Sequence, residues 1–172
     1  NGKAFAFLSN RGNESFFKTD LYIYQFKDST TTLISKGVKT AVTWQDDFTL
    51  IYSKLSEPNA KGSLYFDIYK YDIIEDKEER LTYDARLLYP LFIPEENKFV
   101  AINNYDGTSN ILITDTDSID FKKITDYNDG SYISSIAWIN DEVVFGLIDN
   151  HGKNIFSLDL EDFSIKPINI HN

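Results

Sequence analysis

Apolar and polar residues alternate along most of the chain in short runs, and turns rich in Gly, Asn and Asp separate these runs. One run occurs four times, and each copy begins with Asp or Asn followed by Ile or Leu. The copies start at Asp20, Asp67, Asn110 and Asn154, so they are 47, 43 and 44 residues apart. A repeat of this period, built from β-branched and aromatic residues, predicts one blade of a β-propeller for each copy.

Each repeated run has the same neighbours in the sequence. A Gly-containing loop precedes it, and before the loop comes another apolar run, at residues 4–8, 49–53, 99–102 and 143–147. Earlier still, three of the four repeats contain a run that ends in a large aromatic residue: Trp44, Phe92 and Trp138. A shorter and more charged run follows, as expected for the exposed edge of a sheet. The pattern predicts an all-β chain of four-stranded antiparallel blades, with about 15 strands and almost no helix.

The phase of the repeat sets the expected organisation of the chain. We interpret residues 1–172 as one β-propeller segment, with blades at approximately 1–35, 36–82, 83–125 and 126–168. The first blade starts at the turn into its second strand, so it is predicted to lack its inner strand. Two interpretations remain, a slice of a larger ring or a closed ring of four blades, and the missing strand favours the slice. The chain contains no Met, so we expect the natural N-terminus to lie upstream.

Several of these runs resemble the repeat of TolB-type propellers, which is similar to the propellers of prolyl oligopeptidases and dipeptidyl peptidases. Residues 81–82 read Leu-Thr, residues 90–98 read Pro-Leu-Phe-Ile-Pro-Glu-Glu-Asn-Lys, and residues 106–111 read Asp-Gly-Thr-Ser-Asn-Ile. The repeat departs from the family where Phe92 replaces Trp, and where Trp44 and Trp138 lack the following Ser-Pro pair.

The resemblance implies a function as well as a fold. It implies a non-catalytic scaffold that binds a protein or peptide in the bacterial cell envelope, with a periplasmic or extracellular location. The alternative is the accessory, gating propeller of a larger peptidase whose catalytic domain lies outside this chain. The sequence leaves the oligomeric state open.

Composition narrows the possible partners. The chain has 17 basic and 27 acidic residues, a net charge of −10, and no basic patch in the sequence that offsets it. Such a chain repels phosphate backbones and anionic membrane surfaces, so we expect no nucleic acid partner. No apolar run approaches the roughly 18 residues of a membrane-spanning helix, so no direct membrane insertion is expected.

No motif for catalysis, a metal or a cofactor is complete. Cysteine is absent, the Gly-x-Ser-x-Gly nucleophile elbow is missing, and no phosphate-binding loop is present. Residues 115–120 and 126–130 resemble calcium loops but lack the required Gly and Glu positions, so we predict turns there. Trp44, Phe92 and Trp138 are expected in the core because their spacing is regular. We therefore predict no enzyme activity, no cofactor and no metal.

The remaining function is binding, and on a propeller it belongs to the loops at one end of the blades. These loops join the second strand to the third, and one blade to the next. Tyr and Arg are frequent anchors of protein interfaces. The candidate binding residues are therefore Arg11, Tyr83, Arg86, Tyr105 and Tyr127, against the alternative that they are ordinary exposed turn residues. The loop at residues 55–64 is longer than its equivalents and is a further candidate contact.

Overall fold

The computed structural model describes residues 2–15, 17–105 and 107–168. Within these ranges the chain forms fifteen strands and no helix, and the strands belong to four antiparallel sheets of three or four strands. The strands are β1 (Ala4–Ser9), β2 (Asp20–Gln25), β3 (Thr30–Ser35), β4 (Thr43–Trp44), β5 (Thr49–Leu55), β6 (Phe66–Asp72), β7 (Lys77–Arg80), β8 (Leu87–Ile93), β9 (Lys98–Asn104), β10 (Ser109–Asp115), β11 (Ser118–Lys123), β12 (Tyr132–Ile139), β13 (Glu142–Asp149), β14 (Gly152–Leu158) and β15 (Ile165–Pro167).

The chain divides into two compact units, Asn1–Phe92 and Ile93–Asn172. In the first unit, β1, β2 and β3 form a three-stranded sheet, and β4 to β7 form a four-stranded sheet. Both sheets are simple meanders in which consecutive strands pair. The three-stranded first sheet confirms the prediction that the first blade lacks its inner strand.

The core of the first unit lies between its two sheets. Strand alternation directs Leu21 and Ile23 of β2 to one side of this core, and both are almost fully buried. Leu50 and Tyr52 of β5 belong to the same cluster and have no exposed surface. Tyr52 stacks on Tyr69 of β6, with ring centres 6.4 Å apart. Apolar burial between the two sheets therefore holds the unit together.

The other face of the first sheet carries five aromatic rings. Phe5 lies near Phe7, Tyr24 and Phe26 at centre-to-centre distances of 5.3, 5.3 and 5.7 Å, and Tyr22 stacks on Phe7 at 5.7 Å. The side chain of Phe5 is 43 % exposed and that of Phe26 is 53 % exposed. This face is therefore much less covered than the corresponding face of the second sheet.

In the second unit, β9 pairs with β10 and β10 with β11, while β12 to β15 form a four-stranded meander. The core of this unit is apolar. The fully buried side chains include those of Val100, Ile111, Ile133 and Leu158. The outer strand β15 is exposed along its whole length. This gradient from an apolar centre to a polar edge is the one that the sequence pattern predicted.

Candidate functional site

The first residue of the repeated run fixes the loop that follows its own sheet. In the second sheet this residue is Asp67, which is fully buried. Its Oδ1 accepts hydrogen bonds from the Thr82 hydroxyl at 2.9 Å and from the Ala85 backbone N–H at 3.0 Å. Its Oδ2 accepts bonds from the Arg80 guanidinium at 2.6 Å and from the Asp84 backbone N–H at 3.2 Å. One buried carboxylate thus sets the conformation of the loop after β7.

The same arrangement recurs in the second unit. The Oδ1 atom of Asn110 accepts bonds from the Thr125 hydroxyl at 3.0 Å and the Tyr127 backbone N–H at 2.8 Å. We call each such pair, Asp67 with Thr82 and Asn110 with Thr125, a clasp. The two members are 15 residues apart in both cases.

The repeat pattern predicts a strand here, but the role of the polar residue that begins the repeated run was missed. A signal for it existed, because a Thr follows the Asp or Asn at the same spacing in both copies. Asp, Asn and Thr side chains commonly form hydrogen bonds with nearby backbone groups. Such bonds tie a loop to a sheet where backbone pairing does not.

Tyr83 lies in the loop that the first clasp fixes. Its side chain is 73 % exposed, and the Arg80 guanidinium carbon lies 4.5 Å from the centre of its ring. Arg80 is itself held by the buried Asp67 carboxylate. The exposed ring is therefore positioned by a charged group whose own place is fixed, which is the condition for a pre-organised contact residue.

Arg86, at the end of the same loop, makes a second pair of this kind. Its guanidinium carbon lies 4.5 Å from the ring centre of Tyr65, and one of its N–H groups donates to the Tyr65 hydroxyl at 3.2 Å. This hydrogen bond from the guanidinium lowers the pKa of Tyr65. Tyr83 and Arg86 thus lie on one loop. Tyr83 pairs with an arginine, Arg80, and Arg86 pairs with a tyrosine, Tyr65.

The long loop at residues 56–65 is attached to this loop. The side-chain amide of Asn59 donates to Asp84 Oδ2 at 3.0 Å. The side-chain oxygen of Asn59 accepts the backbone N–H groups of Lys61 and Ser63, both at 3.0 Å. The side chain of Asn59 therefore both holds the long loop in its conformation and links it to the Tyr83 loop.

The other three candidates lie elsewhere. Arg11 is exposed in the loop after β1, where its carbonyl accepts a bond from the Tyr22 hydroxyl at 3.4 Å. Tyr105 and Tyr127 belong to the second unit; Tyr105 is 66 % exposed, whereas Tyr127 is half-buried and desolvation raises its pKa. Asp106, which begins the family-like run at 106–111, lies outside the described residues.

The comparisons with known proteins bear on the fold. No protein-family model and no curated protein matches the chain. Solved structures do match it. A putative TolB from Agrobacterium tumefaciens superposes with a TM-score of 0.74 at 21 % identity, over 96 % of this chain and 61 % of that one. TolB from Acinetobacter baumannii gives a TM-score of 0.72 at 14 % identity, over 96 % and 40 %.

The fold is that of a TolB-like β-propeller segment. A puromycin-hydrolyzing peptidase from Mycobacterium tuberculosis matches as well, with a TM-score of 0.71 and 12 % identity over 96 % of this chain and 27 % of that one. The chain therefore spans less than two thirds of the length of the TolB structures and about a quarter of the peptidase. The suspected relation to both kinds of propeller is confirmed at the level of fold.

The second unit of the propeller segment contains an acidic pocket at the end of the strands opposite to Tyr105. Its volume is about 630 Å³. Trp138 forms part of the wall and donates its indole N–H to Glu95 Oε2 at 3.1 Å. The remaining lining residues are mostly acidic: Glu96, Asn140, Asp141, Glu142, Asp159, Leu160 and Glu161. Trp44, by contrast, packs against the core of the first unit, so equal spacing in the sequence does not give these two rings equal surroundings.

Two further observations concern chemistry and membranes. Among the described residues, no group of three or more His, Cys, Asp or Glu side chains is arranged to hold a metal ion. His151 is exposed in a turn, where its backbone N–H donates to Asp149 Oδ1 at 2.7 Å. None of the described residues forms a helix with the length and hydropathy that crossing a bilayer requires.

Proposed function

We propose that this propeller segment is a non-catalytic scaffold that binds a protein or peptide through the loops of its first unit. The single observation that carries the proposal is the loop after β7, which holds Tyr83 exposed over Arg80 and Arg86 stacked on Tyr65. Aromatic residues and Arg dominate the energetics of protein interfaces, and they do so best when they are positioned before binding.

The hydrogen bonds that hold this loop support the proposal. Asp67 accepts four hydrogen bonds from Arg80, Thr82 and the loop backbone, and Asn59 ties the long loop to Asp84. A partner that docks here pays little of the ordering cost that a mobile loop would impose. The resemblance to TolB-type repeats adds a location in the bacterial cell envelope, periplasmic or extracellular, to the proposal.

A photo-crosslinking experiment tests the site. The residue p-benzoylphenylalanine is placed at position 83, and in a matched variant at position 74, because Ile74 is 71 % exposed at the opposite end of the same sheet. We expect a discrete protein adduct from position 83 and none from position 74 in extracts of the native cell. Unlabelled protein should suppress the adduct, and the Y83A/R86A variant should not. Equal adducts from both positions, or equal competition by the variant, would refute the site.

A second candidate function is supported by the similarity to part of the puromycin-hydrolyzing peptidase. In this alternative the segment is the accessory propeller of a peptidase, and its loops control access to a catalytic domain elsewhere in a longer chain. The complete gene separates the two functions. A Gly-x-Ser-x-Gly motif followed by Asp and His in the same reading frame favours the peptidase, and an envelope-anchoring domain favours the scaffold.

A further inference from the structure

We infer that the partner of the first unit is an acidic polypeptide, and that it docks on the loop end of that unit. The loop end is defined as residues 10–15, 17–19, 36–42, 56–65 and 81–86. This inference rests on the proposed function and specifies the chemistry of its partner. It follows from the way the fold sorts charge along the strands.

The loops of the first unit form one continuous row. The Thr19 hydroxyl donates to the Val38 carbonyl at 2.5 Å, and Lys39 Nζ donates to the Phe17 carbonyl at 3.4 Å. Val38 also bridges to Lys54, next to the start of the long loop. The long loop is in turn joined to the Tyr83 loop by Asn59 and Asp84. The first two loops are therefore bonded to each other, the last two likewise, and β5 connects the two pairs.

Charge is distributed unevenly between the two ends of the first unit. The loop end carries six cations, Arg11, Lys18, Lys36, Lys39, Lys61 and Arg86, against three carboxylates, Glu14, Glu57 and Asp84. The turns at the opposite end, residues 2–3, 26–29, 45–48 and 73–76, carry two cations against five carboxylates. The loop end thus has a formal charge of +3 on a chain whose net charge is −10. In sequence order the six cations are dispersed, and only the meander brings them to one end.

Three of these six cations are exposed and outside the ion pairs of the first unit. Lys18, Lys36 and Lys61 are exposed, and no ion pair involves them among the described residues of the first unit. Apolar surface lies beside them, because Phe17 is 77 % exposed and Tyr83 is 73 % exposed. A ligand that fits this surface combines carboxylates with aromatic or aliphatic side chains. Complementary charge steers such a ligand to the site and sets its register.

A polypeptide fits these features better than a nucleic acid. The loop end contains only two Arg and intersperses Glu14, Glu57 and Asp84 among its cations. A polyphosphate requires a field that stays positive along its backbone, and the three interspersed carboxylates interrupt such a field. Carboxylates of a folded or extended peptide can instead be spaced to match individual Lys and Arg side chains.

Fluorescence anisotropy with a defined probe tests the inference. The probe is a fluorescein-labelled peptide of Glu, Tyr and Gly, with a peptide in which Lys replaces every Glu and an oligothymidylate as references. The loop-end variant is K36E/K61E. The matched control is K27E/K77E, which makes the same charge change at two exposed positions, one in a turn of the opposite end and one at the first residue of β7 beside such a turn. Thermal unfolding of all proteins confirms that the variants remain folded.

We expect the Glu peptide to bind the parent protein and K27E/K77E with affinities within about twofold of one another, and K36E/K61E to bind it about tenfold more weakly. Added salt should weaken the binding by screening. Any of three results would overturn the inference. These are equal weakening of peptide binding by both double variants, tighter binding of the oligothymidylate than of the Glu peptide, and salt-dependent self-association in place of peptide binding. If unlabelled Y83A/R86A fails to suppress the crosslinked adduct but unlabelled K36E/K61E suppresses it as well as the parent does, the binding site stands and the acidic partner is refuted. The reverse result removes the Tyr83 site alone.

Discussion

The hydroxyl of Thr82 donates to Asp67 Oδ1 at 2.9 Å and also accepts the backbone N–H of Ile68 at 2.9 Å. One small side chain therefore joins the start of a central strand to the loop that leaves the same sheet. Asp67, Ile68 and Thr82 are all buried. Water therefore does not replace a hydrogen-bond partner when one of these side chains is removed.

The first prediction concerns this clasp. We expect D67A to lower the free energy of unfolding by about 2–4 kcal/mol, because it leaves the Arg80 guanidinium and two backbone N–H groups short of an acceptor. Urea denaturation measures the change. The control is N154A, at the equivalent position of the fourth sheet, where Asn154 is exposed; it should change stability by less than about 0.5 kcal/mol. Equal effects of the two substitutions would contradict a specific role for the clasp.

The second prediction compares two positions of equal register. Phe5 pairs with Tyr24 in the first sheet as Leu50 pairs with Tyr71 in the second. Leu50 has no exposed surface, whereas Phe5 is 43 % exposed. We expect L50A to cost about 3 kcal/mol and F5A about 1 kcal/mol, because only the former opens a cavity in a packed core. Denaturant midpoints at constant m-value measure both, and a larger cost for F5A would show that its face is covered.

The third prediction concerns acid stability and the carboxylate of Glu78. Its Oε1 accepts bonds from the hydroxyls of Ser35 at 2.5 Å and Tyr52 at 2.6 Å, and its Oε2 lies 2.6 Å from Lys54 Nζ. Desolvation raises the pKa of Glu78, but the bonds from Lys54, Ser35 and Tyr52 outweigh it and lower the pKa below its usual 4.5.

Because the folded-state pKa is lower than the unfolded one, the stabilisation by Glu78 is complete above about pH 4.5 and is lost as the pH falls through the folded value. At neutral pH, E78Q should destabilise the protein by about 1–2 kcal/mol, since the side chain is partly exposed. Below pH 4.5 the difference from the parent should shrink. Thermal melts across the acid range measure this, with E79Q as the control on the same strand; a constant difference at every pH would exclude the mechanism.

The fourth prediction addresses the long loop. Removing the Asn59 side chain in N59A deletes one bond to Asp84 and two to the loop backbone. We expect faster hydrogen exchange of the amides between Asn59 and Tyr65, with global stability reduced by about 1 kcal/mol or less. K61A removes an exposed side chain from the same loop and should leave the exchange unchanged. Identical exchange in N59A and the parent would show that the loop is held by other contacts.

Strand order, the exposed outer strands and the absent first strand could all be predicted, because period-two alternation and a repeat near 45 residues report directly on local structure. Tyr83 and Arg86 could be chosen as candidates because their loops follow from the repeat. Their stacking on Arg80 and Tyr65 could not, since it depends on side-chain directions that only the folded loop defines. The collection of Lys18, Lys36 and Lys61 at one end was also invisible, because neighbours in space are separated there by whole strands.

The clasp has a consequence for how such a chain can change. Asp67, Thr82 and Arg80 all belong to one sheet and its outgoing loop, so the anchors of the clasp lie within a single sheet. Residues between the anchors, such as Tyr83, can then be exchanged while the anchors keep the loop closed. In each sheet with a clasp, substitutions between the anchors can therefore create a new contact surface while the residues of the neighbouring core stay the same.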